Sequence, residues 1–527
     1  MKKSKIDYLI LFACSFCLLL PFFIRSYKVG NDTYFHLTNI IAMINSMHYF
    51  IPRTIIPNIA GIFGYGTRLF YPPFAHTLTA YISYIFHLNI LISMKIYYLI
   101  VLFLSGVTMY NWSLDTKKNR KIAIISGLIY MSFPYHLSEI YVRDAMAEAA
   151  IFIFLPMIFH SFYYLFKNNK KFMFYFIVGY VGGIISHLTM MIYFTILIIP
   201  YFLINYRKVL KKENFRCLLK SAFLILTIVS PIIINMIYNK ILGNYMVFKS
   251  GVMAQGIQHS GLWIHFFNYF GLFNCNIFGY PFIDNKINFY FDIVALILFI
   301  LSVKNRKFNG NDKYILCFMV ISIGLSTVFF PWDKLPQGFR IIQFPWRMMC
   351  YVALGFSYLA PQCINDLKID YKFIMIIIIG LSFFNMNPYR YKDVDLSKID
   401  YEYGMGWQKE YLPVKVYENY EYFQNRGTGV VNGDVIFDDG NTLDFLVNTA
   451  SEVELPRIFY FGYSLEDIQG NKYSVYENNN GFVGANLKKG KYVLKYRGIL
   501  LARVAEVSSL ITIVMCLIKI KREKILK

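Results

Sequence analysis

The sequence predicts a polytopic α-helical membrane protein with about 12 spans and a C-terminal extracytoplasmic antiparallel β domain before the last span. Three observations carry this expectation. The 527 residues are 57% hydrophobic and 19% aromatic with only 16% charged, and the mean hydropathy is +0.43, outside the balance of soluble globular proteins. The apolar residues gather in runs approaching the about 20 residues that a helix needs to cross a hydrocarbon core. Lys and Arg number 53 against 31 Asp and Glu, a net charge of +22, and most of these basic residues sit in short clusters between the runs. In a soluble domain such a charge would suggest nucleic acid. Clustered this way it reads as topology and as attraction to membrane lipids, so no nucleic-acid partner is expected.

The chain opens on MKKSK and an apolar run at 6–24, which reads as an uncleaved signal anchor. Further spans are expected near 91–111, 122–136, 149–166, 172–187, 188–206, 217–237, 289–303, 314–331, 346–361, 372–387 and 503–519. With the N-terminus inside, the clusters at 117–121, 167–171, 207–216, 304–307, 366–372 and 519–524 all fall on the cytoplasmic side. Both termini are then cytoplasmic at the plasma membrane. The expected domains are a helical domain, 1–386, with an external loop at 25–89; a β domain, 387–500; and a last span with a basic tail, 501–527. Within the external loop, Phe74 to His87 is apolar enough for a short membrane-surface or re-entrant helix. The β domain shows in its turns and alternation: in KKGKYVLKYRG, Tyr492, Leu494 and Tyr496 face one side and Val493 and Lys495 the other, after a Lys489-Gly490 turn.

Soluble catalytic signatures are missing: the sequence has no Walker loop, GxSxG or HExxH. Cys14 and Cys17 form a CxxC inside an apolar run and read as small residues on a helix face rather than a redox or zinc pair. Polar chemistry is therefore expected on the outer face, where three constellations stand out. The first is GNDTYFHLTNI, with Asp32 and His36, followed by Arg53, GYG at 64–66 and YPP beginning at Tyr71. A carboxylate at a low-dielectric boundary is costly unless it has work or a partner. Equally, Asp32 or Thr33 is a good helix N-cap, and residue chemistry leaves the two readings level.

The second constellation is EIYVRDAMAEA, where Arg143, Asp144 and Glu148 are expected on one helix, with Asp144 and Glu148 at i and i+4 on a shared face. It is either a structural ion network or an anion site with an acid left over. The third is QGFRIIQFPWRMM, with Arg340 and Arg347 at the outer end of a span and no acid nearby in sequence. Guanidinium groups fit phosphate oxygens in a fork; the alternative is snorkelling to headgroups beside Trp346. His187, in the turn SHLT, reads by default as a satisfied buried histidine.

The order GNDTYFHL, PNIAGIFGYG, FYPPF, YVRDAMAEA with Pro156, QFPWR and PRIFYFGYSLEDIQGNKYSVYENNNGFVGANLKKGKYVLKYRG resembles the bacterial membrane-protein family labelled 6-pyruvoyl-tetrahydropterin synthase-related. It is similar in plan to YfhO-like proteins and to the C-type glycosyltransferase superfamily (GT-C). The resemblance implies an enzyme that moves a sugar from a polyprenyl-phosphate-linked donor to a cell-envelope glycan or glycolipid acceptor. It casts Asp32 as general base or orienting carboxylate for the acceptor, and Arg143, Arg340 and Arg347 as holders of the lipid phosphate; His36, Arg53, Tyr71, Asp144, Glu148 and His187 are further substrate-binding candidates. No cofactor is implied; a divalent cation would need Asp144 or Glu148 beside Asp32, because no second acid adjoins Asn31-Asp32. A flippase or transporter for a lipid-linked glycan and a non-catalytic envelope-assembly protein are the rival readings.

Overall fold

The computed structural model describes residues 4–47, 50–249, 291–305, 308–327, 330–336, 344–367, 369–385, 392–406 and 409–522. Its first half is helical: α1 (Lys5–Ile24), α2 (Thr33–Asn45), α3 (Thr67–Phe70), α4 (Phe74–Phe86), α5 (Ile90–Lys117), α6 (Arg120–Ser132), α7 (Pro134–Tyr141), α8 (Met146–Leu165), α9 (Lys171–Ser186), α10 (Leu188–Ile204), α11 (Tyr206–Val209) and α12 (Lys212–Leu242). Helices Ile293–Asn305, Gly310–Ser326, Met349–Leu359 and Tyr371–Asn385 follow, and Leu500–Arg522 closes the chain. Their starts are written in the sequence. Ser4, Asn89 and Asn119 accept a hydrogen bond from the first turns of α1, α5 and α6, and Asn309 with Asp312 forms a reciprocal capping box.

Each expected span has a helix at its place. Five are long and apolar enough to cross a membrane: α1, α5, α8, α12 and Leu500–Arg522, with mean hydropathies between 1.5 and 2.3. The remaining helices are shorter. Pro134 ends α6 and opens α7, since proline lacks the N–H that an uninterrupted helix would need. The central helix is α8, 94% buried, packed against α5, α7 and α9. At the other extreme, α12 and Leu500–Arg522 lie side by side at the periphery and are each only 17% buried. At the end of the bundle bearing the basic clusters, Asp7 of α1 pairs with Arg120 at 2.5 Å and accepts from Tyr110, and Lys117 meets Asp312 at 2.5 Å.

Strands β1 (Gly433–Asp438), β2 (Thr442–Val447), β3 (Ser451–Ile458), β4 (Tyr463–Asp467), β5 (Lys472–Tyr473), β6 (Tyr476–Glu477), β7 (Phe482–Leu487) and β8 (Gly490–Tyr496) form two antiparallel sheets, ordered β1-β2-β8-β4-β5 and β3-β7-β6. Between them lies a separate core that includes Leu443, Phe445, Leu455, Val483, Tyr492 and Leu494. The expected alternation in β8 is present, with Tyr492 and Leu494 buried and Lys491 and Lys495 exposed.

The segment between α2 and α4 forms the floor on which the β domain rests. Gly64, at φ +81°, turns the chain so that Ile56 and Tyr65 pair, and the buried Tyr65 hydroxyl donates to Met405 O at 2.9 Å. Ile458 N–H donates to Phe63 O at 3.1 Å, and Gly66 lies so near the Tyr460 ring that a Cβ would come within 2.7 Å of it. Arg53, expected to bind substrate, lies on this docking surface: it donates to Asp439 O at 2.9 Å and pairs with the Asp439 carboxylate at 3.5 Å. The partner lies 386 positions away, beyond any local sequence signal.

Candidate functional site

The segments GNDT and VRDA lie alongside each other. Asn31 N–H donates to Val142 O at 3.2 Å and Asp32 N–H to Arg143 O at 2.8 Å. Gly30 permits the approach, because a Cβ there would sit 2.9 Å from both Asp144 Cβ and Val142 O. Gly30→Ala should therefore destabilise the protein by about 1–3 kcal/mol, read as a lower thermal midpoint.

Asp32 occupies the N-cap position of α2, but its side chain makes no capping hydrogen bond. The hydroxyl of Thr33, rather than the Asp32 carboxylate, accepts from Gly30 N–H at 2.7 Å. The Asp32 side chain keeps 42% of its surface exposed although it is set deep among protein groups, and its Oδ2 lies 3.7 Å from Arg143 Nη2. At that separation the pair is an ion pair without a direct hydrogen bond. Burial pushes the carboxyl above the ordinary carboxylate range, against the opposing pull of Arg143 and Arg347.

Behind Asp32 stands a buried network. Arg143 Nη1 donates at 2.7 Å to both Glu139 Oε2 and Glu148 Oε2. Arg347 grips the other Glu148 oxygen, Oε1, through Nε at 3.0 Å and Nη2 at 2.9 Å, and Tyr135 donates to Glu148 Oε2 at 3.2 Å. Side-chain exposures of Arg143, Arg347 and Glu148 are only 7%, 8% and 4%, so Arg347 does not snorkel to a surface. Its acid lies 199 positions earlier. His187 Nε2 approaches Glu148 Oε1 at 3.9 Å, while its Nδ1 accepts from Met190 N–H at 3.4 Å to cap α10.

On the other flank, His36 Nδ1 and His76 Nε2 share a hydrogen bond of 2.7 Å, and Tyr71 stacks on His76 with ring centroids 5.1 Å apart. His36 N–H bonds Asp32 O at 3.0 Å, so this pair begins one helical turn from the carboxylate. Burial, reinforced by His76, holds His36 well below the ordinary histidine range, and it is neutral at pH 7.

One part of the expected constellation is different. Asp144 and Glu148 do not share a helix face, because Asp144 has φ +58° and lies in the turn before α8 begins at Met146. Its carboxylate accepts from Tyr27 at 2.9 Å, Tyr98 at 2.5 Å and Thr33 at 2.6 Å. Asp144 therefore braces the loop that carries Asp32. Among the described residues no group of three or more His, Cys, Asp or Glu side chains is placed to hold a metal ion. Arg340 lies outside the described residues.

Burial pushes Asp144 up to about 6 against its three hydroxyl donors. A carboxyl raised in the folded state binds its proton more tightly there than in the unfolded chain. Its contribution to stability is thus lost as pH rises from about 4 to about 6. Asp144→Asn, which has no such titration, should gain in thermal midpoint relative to wild type across that window.

Sequence reasoning missed Glu139 and His76. Glu139 was visible, since Glu139 and Arg143 stand at the i,i+4 spacing that favours an ion pair. His76, a single histidine in an apolar stretch, had no local signal. The sequence matches no known family model and no curated protein, so the functional reading must rest on these residues.

Proposed function

We propose that the chain is a membrane-embedded glycosyltransferase of GT-C type with about twelve spans. In this reading it passes a sugar from a polyprenyl-phosphate-linked donor to a cell-envelope acceptor at the outer face of the plasma membrane. The observation that carries the reading is Asp32: an accessible carboxylate without a capping role, held 3.7 Å from a buried guanidinium. The alternation of basic loops puts this residue outside, at the level where a lipid-linked donor presents its headgroup.

In the reaction, Asp32 removes the proton of the acceptor hydroxyl. The acceptor oxygen forms a bond to the anomeric carbon as the bond from that carbon to the phosphate oxygen breaks, and the lipid phosphate leaves with the electron pair. Arg143 and Arg347 supply fixed positive charge beside the developing anion, in surroundings dry enough for that charge to count. Glu148, bound by both, holds their orientation. His36, His76 and Tyr71 form the wall opposite the arginines. No nucleotide is required, because the donor already holds the bond energy.

The test is to reconstitute the protein in vesicles with a labelled polyprenyl-phosphate sugar and an envelope-glycan acceptor. Covalent transfer of label supports the proposal. Movement of intact donor across the bilayer without transfer supports the flippase instead, and neither outcome leaves a scaffold.

A further inference from the structure

A second polar recess lies away from Asp32, where the segment between α2 and α4, the β domain and the last helix meet. It has a volume of about 440 Å³ and is lined by Arg53, Asp439, Asn441, Tyr496, Arg497 and Arg503, among others. Its rim is fixed: Arg53 is bonded to Asp439, and Gly440, at φ +79°, lies against Pro57, where a Cβ would come within 2.5 Å. The volume is in the range of small-ligand sites.

The charges within the recess are unevenly satisfied. Arg53 has Asp439, and Arg497 has Glu466 at 2.9 Å. Arg503 is exposed, with no ion-pair partner within 4 Å among the described residues, but it interacts electrostatically with Glu506, the one acid of its helix, which stands three residues further on and also lines the recess. The Arg497 pair is 46% exposed on the arginine side, and exposed pairs of this kind are weak enough to yield to a better acceptor. The recess therefore presents two weakly committed guanidinium groups, those of Arg497 and Arg503, beside the amides of Asn441 and Asn235.

Below it run the two most exposed apolar helices. Leu501, Val504, Val507 and Leu510 of the last helix are 56–63% exposed, and Phe223, Leu226, Ile237 and Ile241 of α12 are 51–73% exposed. An occupant with an anionic head and an apolar tail would satisfy both surfaces at once: phosphate on the guanidinium fork, hydrocarbon along the helices. We propose that this recess binds the phosphate headgroup of a membrane lipid, with Arg503 as its principal ligand. The proposal rests on the membrane reading given above and is independent of any chemistry at Asp32.

The experiment is photolabelling of the full-length protein in mixed micelles. The probes are a photoreactive polyprenyl phosphate, a photoreactive phosphatidylglycerol and a photoreactive phosphatidylcholine. Both anionic probes should label the last helix or α12 more strongly than phosphatidylcholine, and the stronger of the two identifies the lipid class. Arg503→Gln should reduce anionic labelling about tenfold, the loss that one charge-assisted hydrogen bond implies, whereas Arg503→Lys should keep most of it. Asp32→Asn should label as wild type, so failure of the transferase reading would leave this result untouched. Equal labelling by phosphatidylcholine, or full anionic labelling of a folded Arg503→Gln, overturns the proposal.

Discussion

Glu148→Ala is expected to destabilise the protein by about 3–5 kcal/mol, because it leaves two buried guanidinium groups without their shared counter-charge. Both oxygens of Glu148 are committed, one to Arg143 at 2.7 Å and the other to Arg347 at 2.9–3.0 Å. The three side chains come from the turn before α8, from its first turn, and from the segment Pro345–Met348 just before helix Met349–Leu359. Losing the carboxylate removes a tie between helices as well as a charge. Glu148→Gln should be milder, since an amide oxygen still accepts a hydrogen bond while the charge is lost. The measurement is the thermal midpoint of the detergent-purified protein with the recovery of monodisperse material. An unchanged midpoint for the alanine variant would mean that water can replace Glu148, and that the network is not the dry anchor its low exposure implies.

Asp32→Asn is expected to do the opposite: remove activity and spare the fold. The Asp32 side chain caps nothing, and its single ion pair, at 3.7 Å, is too long for a direct hydrogen bond. The substitution should therefore change stability by no more than about 0.5 kcal/mol. Loss of a positioned general base should lower transfer by about 10²–10⁴-fold. The pH dependence has a definite sign. Burial raises the Asp32 carboxyl, and a base acts only when deprotonated, so wild-type transfer should fall as pH drops through a value above the ordinary carboxylate range. That limb should be missing from whatever activity Asp32→Asn retains.

Hydrophobic runs and charged clusters are local properties, and they made much of the architecture legible. The helices stand where the apolar runs lie, and the alternation of Tyr492, Leu494 and their neighbours announced the strand pairing of β8. The association of Asp32, Arg143 and Arg347 was also readable in outline, because charges in an apolar bundle must find one another. Which carboxylate serves which arginine was not readable. Arg347 finds its acid 199 positions away, and Arg53 is taken up by a β-domain turn. Asp144 illustrates a different failure. Spacing placed it on a helix with Glu148, but the left-handed turn at Asp144 is imposed by tertiary contacts with Tyr27, Tyr98 and Thr33. Helical periodicity has no means of registering such contacts.

The geometry combines an inner network that holds the arginines still with one accessible carboxylate, to which the proposed function assigns the proton transfer. Glu148 neutralises and, with Glu139, orients; Asp144 braces the loop; Asp32 alone of these keeps substantial accessible surface. Such an arrangement concentrates rigidity behind the reacting group, as a site built for positioned proton transfer requires.

The most direct test of this account is sugar transfer from a labelled polyprenyl-phosphate donor by reconstituted wild-type and Asp32→Asn protein, with thermal midpoints measured on the same preparations. The account predicts transfer by wild type, at least a hundredfold loss in the variant, and matching midpoints. Full transfer by a folded Asp32→Asn variant would contradict it.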